Sequence, residues 1–212
     1  FQDSYDHFVS TIELGDFPFT PFSKIVKGDI EPEAKHPVAW GWLLLIKILN
    51  SLSKDAGVEH PHIDLLQEAI GALQNVGMID NDDIGSIIKA SSKNSFQLKV
   101  PKIIEYSKNS DGLIPDNSIS FYVNLLSHLI HNVRTENKHI LFIDGMDDII
   151  TKRATQFEAL GGLFFEVNRL NNSLRDNSIP VKIVCLCRTD IFDKVTNANK
   201  NKIKQDFAIN LN

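Results

Sequence analysis

The chain has 212 residues and a mass of 23.8 kDa, enough for one domain, or one domain with a subdomain, to bury a sound core. Hydrophobic residues at 42% and charged ones at 23% are ordinary globular usage and argue against a long disordered tract. A net charge of -5 and a pI near 5.8 give no electrostatic footprint for wrapping nucleic acid or coating an anionic membrane. The most apolar run, Trp40 to Ile46, falls far short of the ~20 residues a membrane span needs. Cys185 and Cys187 stand too close along one strand to bridge, so no disulfide framework is expected and a cytoplasmic setting is. The opening at Phe1 has no initiator Met, charged n-region or small-residue cleavage site. It suggests neither a native start nor a signal peptide, but a polypeptide trimmed upstream.

In chain order, Phe8 to Leu14 reads as a strand that Gly15 and two prolines break. A loop then runs to about Lys35. Pro37 suits a first helical turn, and Val38, Trp42, Leu45, Leu49 and Leu52 recur at helical spacing until Gly57. Two shorter helices are expected at about Ile63 to Val76 and Asp82 to Ala90, followed by a polar, poorly patterned stretch from Ser91 to Asp116. Asp116 or Ser118 can cap a helix with the stripe Tyr122, Leu126, Leu129, Ile130 and Val133. A strand follows at once, then a helix marked by Phe157, Leu160, Phe164, Val167 and Leu170, and a strand from Val181 to Cys187. A helix from about Asp190 and a last strand near Phe207 to Leu211 complete an alternation that implies an α/β fold, a parallel sheet with helices on both faces. The chain divides into residues 1–57, a helical insert at 58–115, and residues 116–212.

Ile140 to Ile143 is a run of four bulky apolar residues, as in a strand buried on both faces, and it stops at Asp144. In open α/β sheets ligands bind at the C-terminal strand edge, where a carboxylate can hold Mg²⁺ through water while the metal bridges nucleotide phosphates. Gly145 permits a tight turn, and Asp147 and Asp148 follow it, placed to polarise an attacking water. The plain alternative is that Asp144 caps a turn and the two later acids are solvated. The apolar strand Ile183 to Cys187 delivers Arg188, Thr189 and Asp190 one helix later. A right-handed crossover makes both strands parallel, so Asp144 and Arg188 can face one ligand.

Asp144-Gly145-Met146-Asp147-Asp148 and Arg188-Thr189-Asp190-Ile191-Phe192 resemble Walker B and sensor 1 of the STAND and AAA+ branch of P-loop ATPases. Asn201 to Leu211 resembles the tail of a group of bacterial ATPases of this branch. The resemblance spans about Tyr122 to Leu211. It implies that Asp144 directs Mg²⁺, that Asp148 activates water with Asp147 beside it, and that Arg188 senses the terminal phosphate of ATP. Such proteins commonly carry Glu at the last acidic position, so Asp148 points to switching more than turnover. Rings or clusters by self-association are implied as well.

None of the eleven glycines is followed by Lys-Ser or Lys-Thr, so no residue here cradles phosphates. By resemblance, the phosphate loop and its strand precede the segment Phe8 to Leu14. The sheet is then incomplete at its N-terminal strand, the one expected beside the strand ending at Arg188. A fragment of this kind calls for a partner segment or a rearranged sheet, and by itself is inactive. Two other functions remain open: a non-enzymatic module binding a partner protein through the helical insert, and a Mg²⁺-dependent phosphohydrolase or nuclease built on Asp144, Asp147 and Asp148. His60 with His62, and His128 with His131, lack a third ligand at metal spacing. Trp40, Trp42, Cys185 and Cys187 read as core, Thr189 and Asp190 as helix caps, and no Gly-x-Ser-x-Gly elbow marks a hydrolase.

Overall fold

The computed structural model describes residues 7–28, 31–81, 83–93, 96–111, 118–146, 154–195, 204–205 and 208–209. Three parallel strands form one sheet in the order β1 (His7–Glu13), β2 (Lys138–Asp144), β3 (Val181–Cys185). Glu13 registers with Asp144, and Ile143 with Cys185, so all three strands end at one edge. The α/β class and the parallel sheet expected from the alternation are therefore present. Of the expected last strand, Ala208 and Ile209 are described and are not in a strand; Phe207, Asn210 and Leu211 lie outside the described residues.

Between β1 and β2 come a one-turn helix α1 (Phe19–Phe22), then α2 (Pro32–Leu52), α3 (Ile63–Asn75), α4 (Ile84–Ser91), α5 (Pro101–Asp111) and α6 (Ile119–His131). Helix α7 (Ala154–Asp176) joins β2 to β3, and a single turn α8 (Thr189–Phe192) follows. Helix α2 starts at Pro32, so Pro37 lies inside it and not in its first turn. The proline is tolerated there because the bond it forgoes is to the carbonyl four residues earlier, close to the helix start. Helix α2 ends at Leu52, earlier than Gly57, whose N–H instead donates to Asp55 Oδ1 at 2.8 Å.

Helix α5 arises in the stretch that reads as patternless. Its start is fastened from outside, since Glu68 of α3 accepts from the N–H groups of Lys102 and Ile103 at 3.2 and 2.9 Å. Local caps do the same work elsewhere. Asp83 accepts from Gly85 and Ser86 at the head of α4, and Ser118 accepts from Phe121 at the head of α6; Asp116, the other candidate, lies outside the described residues. The helices of residues 58–115 bury Leu66, Leu73, Ile87, Ile88 and Ile103 in the same apolar cluster as α2 and the sheet.

Helices α2 and α7 pack on each other and on the sheet, α2 against β1 and β2 and α7 against β3, so they share one face. Leu141 and Ile143 point into it and are buried, whereas Ile140 and Phe142 point the other way and are only half-buried. The four-residue run is therefore not enclosed on both sides, and the second face carries Val9, 48% exposed, beside Ile140, Phe142 and Val184. Cover by helices on both faces is met on one face among the described residues.

At the opposite, N-terminal edge of the sheet, a buried polar network fastens β2 to the end of α2. Asp55 Oδ2 accepts from His139 Nε2 at 3.2 Å and Thr135 Oγ1 at 2.7 Å; Oδ1 accepts from Asn137 Nδ2 and the Gly57 N–H, both at 2.8 Å. With its Nε2 hydrogen committed to a carboxylate, the neutral imidazole presents Nδ1 to the Ser51 hydroxyl at 2.8 Å. Ser51, His139 and Asp55 thus line up in the order of a hydrolase triad. All three are buried within the α2–β2 joint, and Ser51 does not line the neighbouring cleft of Gly57, Thr135 and Asn137, so the chain is a clasp without substrate access. Asp55→Ala leaves four donors unpaired in this joint, and we expect a loss of about 3 kcal/mol in urea unfolding.

The same network sets a pH dependence. Burial lowers the pKa of His139 below its ordinary value and outweighs the raising pull of Asp55; burial lowers His36, His60 and His131 too. These rings are neutral in the fold but bind protons when unfolded, so stability falls as pH drops below the unfolded value of about 6.5. For Asp55, burial alone would raise the carboxyl, but its hydrogen bonds hold it below the ordinary value. Its contribution persists above about pH 4 and is lost only as pH falls through the lower folded value. The urea midpoint should therefore drop between pH 7.5 and 5.5; an unchanged midpoint would contradict the burial of these histidines.

Candidate functional site

The C-terminal sheet edge carries two of the residues singled out from sequence. Asp144 ends β2 with an exposed carboxylate, whose Oδ1 accepts from the Gly145 N–H at 2.7 Å. Its backbone carbonyl accepts from the Leu14 N–H at 3.0 Å, which continues the β1–β2 ladder past Glu13 and brings the two strand ends together. Glu13, the register partner of Asp144, is exposed on the same face of the sheet. Two carboxylates thus stand side by side at this edge, an oxygen-rich donor set that suits a hydrated hard cation. Glu13 escaped the sequence reading because cross-strand register is a tertiary fact; the parallel pairing alone makes the two acids neighbours.

Gly145 turns the chain with φ +77°, a conformation that favours glycine. A Cβ there would meet the backbone nitrogens of Leu14 and Gly15 at 3.2 Å. Met146 is buried just beyond the turn, so it anchors the loop into the core. Asp147 and Asp148 lie outside the described residues.

Arg188 follows β3 as the N-cap residue of α8, with extended backbone, and its guanidinium is exposed. Nε donates to Asp190 Oδ1 at 3.0 Å and a terminal nitrogen to Asp190 Oδ2 at 3.3 Å. The β3 strand stops at Cys185, two residues before the expected Cys187, although the Leu186 N–H still donates to the Ile143 carbonyl at 2.8 Å. Asp144 and Arg188 therefore leave adjacent parallel strands at the same edge, each engaged by a near neighbour in its own segment. Thr189 and Asp190 lie in the first turn of α8, but its cap residue is Arg188 and makes no side-chain capping bond.

Other candidates resolve into packing. Trp40 and Trp42 are fully buried, their indole N–H groups donating to the Ala159 carbonyl and to Ser91 Oγ, both at 2.8 Å. Cys185 is a free thiol, as is Cys187; burial and then the neighbouring Cys187 push the Cys185 pKa up, which keeps it protonated and unreactive. His60 donates from Nε2 to the Leu129 carbonyl and accepts the His62 N–H at Nδ1, and His131 pairs with Ser173. Among the described residues no three His, Cys, Asp or Glu side chains gather to hold a metal ion.

Buried Glu166 borders a cleft of about 230 Å³ between α2, α6 and α7, but both its oxygens are held by Arg169 at 2.6 and 2.8 Å. Burial raises the Glu166 carboxyl while Arg169 opposes that. Gly41 makes the arrangement possible, since a Cβ on it would come within 2.5 Å of Glu166 Oε1.

An α/β protein with a three-stranded parallel sheet and an acidic strand end is the class this architecture defines. Protein-family models, curated proteins and solved structures yield no match to the chain.

Gly145→Ala tests how firmly the turn holds this edge. Strain at positive φ together with the close backbone contacts should cost about 1–3 kcal/mol and raise amide exchange at Leu14. Unaltered stability and exchange would show that the loop relaxes freely.

Proposed function

We propose that this chain is part of the core of an ATP-binding P-loop ATPase of the STAND and AAA+ branch, regulatory or remodelling in output. What carries the reading is that Asp144 ends β2 while Arg188 leaves the same edge just past the end of the adjacent parallel strand β3. In it, Asp144, with Glu13 beside it, would hold hydrated Mg²⁺, which would supply charge neutralisation at the phosphates; Arg188 would exchange Asp190 for the terminal phosphate of ATP, and Asp148, with Asp147, would polarise the attacking water. The chain's own part is to hold carboxylate and guanidinium on rigid strand ends. The phosphate cradle comes from a polypeptide segment other than these 212 residues, because no Gly-x-x-x-x-Gly-Lys-Ser/Thr occurs in them.

Three further observations support this reading. The order β1-β2-β3 leaves the outer edge of β3 without a strand among the described residues, where the phosphate-loop strand would stand. The sheet face away from α2 and α7 exposes Val9 and half-exposes Phe142, as a sheet awaiting a further helix does. Asp144 and Glu13 share that second face with them.

Millimolar Mn²⁺, a paramagnetic stand-in for Mg²⁺, should broaden the amide resonances of Leu14 and Gly145 ahead of all others, and Asp144→Asn should abolish this selectivity. In a polypeptide that joins these residues to a phosphate loop, calorimetry should show Mg²⁺-dependent ATP binding that Arg188→Ala weakens by about tenfold. Uniform broadening together with an unchanged ATP affinity would sink the reading.

A further inference from the structure

Strand β3 lies at the end of the sheet and pairs with β2 alone among the described residues. The Pro180 carbonyl and the Leu186 N–H bond to β2, so by the alternation of a parallel ladder Val181, Ile183 and Cys185 turn their backbone groups outward. Val181 satisfies its N–H locally on the Ile179 carbonyl at 2.8 Å. Ile183 is satisfied by a side chain of α7. Asn171 Oδ1 accepts the Ile183 N–H at 2.9 Å, and Asn171 Nδ2 donates to the Ile183 carbonyl at 2.9 Å. One carboxamide thereby supplies the acceptor and the donor that a neighbouring strand would supply at that rung.

The composition of β3 is that of an interior strand. Val181 and Ile183 are buried, Val184 and Cys185 partly buried, and Lys182 is its single charge. Natural edge strands are blunted by several charges, a proline or a bulge. Here Lys182 and the Asn171 carboxamide do that work.

We propose that the outer edge of β3 is a strand-addition site and that Asn171 is its gate. The occupant is an extended strand rich in β-branched residues, whose backbone replaces the Asn171 carboxamide at Ile183 and pairs with Cys185 as well. Identifying the occupant with the strand that carries the phosphate loop rests on the ATPase reading; the gate does not.

The test adds to the full chain a labelled, capped heptapeptide, Lys-Thr-Val-Ile-Val-Thr-Lys, with no nucleotide present. In the wild type, the peptide should slow hydrogen exchange at the Cys185 amide and shift the Asn171 side-chain NH₂ resonances toward solvent-exposed values. Asn171→Ala should bind it about tenfold more tightly, since two competing hydrogen bonds are gone. Absence of Cys185 protection in both proteins, or equal affinities, overturns the proposal. Should Asn171→Ala fail to fold, the wild-type resonances decide: Cys185 protected with the Asn171 signals unmoved overturns the gate. Peptide binding together with uniform Mn²⁺ broadening and an ATP affinity unchanged by Arg188→Ala keeps the gate and removes the ATPase reading, whereas the reverse pattern removes the gate alone.

Discussion

Everything in this fold is arranged around one buried helix. Each residue of α2 from Ala39 to Leu52 is buried, so the helix must be walled on all sides. The sheet, α7, α6, α3 and α4 each take part of its circumference. That demand explains why polar residues on α2 are tied to other elements. Lys47 donates to the Asn81 carbonyl, Asn50 accepts the Asp80 N–H, and Ser51 meets His139. Left unpaired at such depth, each would cost the desolvation of a polar group. Gly41 and Gly162 answer a second requirement, close approach: a Cβ on Gly162 would lie 2.6 Å from the Cβ of His36, so α2 and α7 meet almost backbone to backbone.

The sheet that α2 organises is one-sided. Its buried face holds Ile12, Leu141, Ile143 and Ile183, and its other face holds half-exposed aliphatic and aromatic side chains with Glu13 and Asp144 at the top. The two ends of the strands are treated differently as well. At the N-terminal end, Asp55 and His139 are saturated with hydrogen bonds and hold β2 rigidly to α2. At the C-terminal end, carboxylates and a guanidinium remain at the surface on short local contacts. A stiff base beneath an exposed polar edge suits ligand capture, because the strands hold position while the side chains on top can exchange partners.

Much of this was legible in the residues. Apolar patterning marked α2, α3, α4, α6 and α7, and capping chemistry offered Ser118 as the start of α6. The acid ending β2 was legible because four bulky residues stop abruptly at Asp144. Helix α5 was not, since among its described residues Ile103 alone is a buried hydrophobic and its N-terminus is capped by Glu68 from another helix. Nor was the one-sided cover of Ile140 to Ile143, because an unbroken apolar run looks the same whether one face or both are enclosed.

By itself the sequence determined what local chemistry can encode: the strongly patterned helices and strands, that β2 and β3 run parallel through an intervening helix, that Asp144 ends β2 and that Arg188 follows β3. It also determined that no Gly-x-x-x-x-Gly-Lys-Ser/Thr motif lies within these residues. Only the tertiary structure decided that Glu13 stands beside Asp144, that Ser51, His139 and Asp55 join in one clasp, and that Asn171 occupies the rung of Ile183. Those pairs are separated by 12 to 131 positions in the chain, and no local pattern records a contact that comes into being only when distant segments pack.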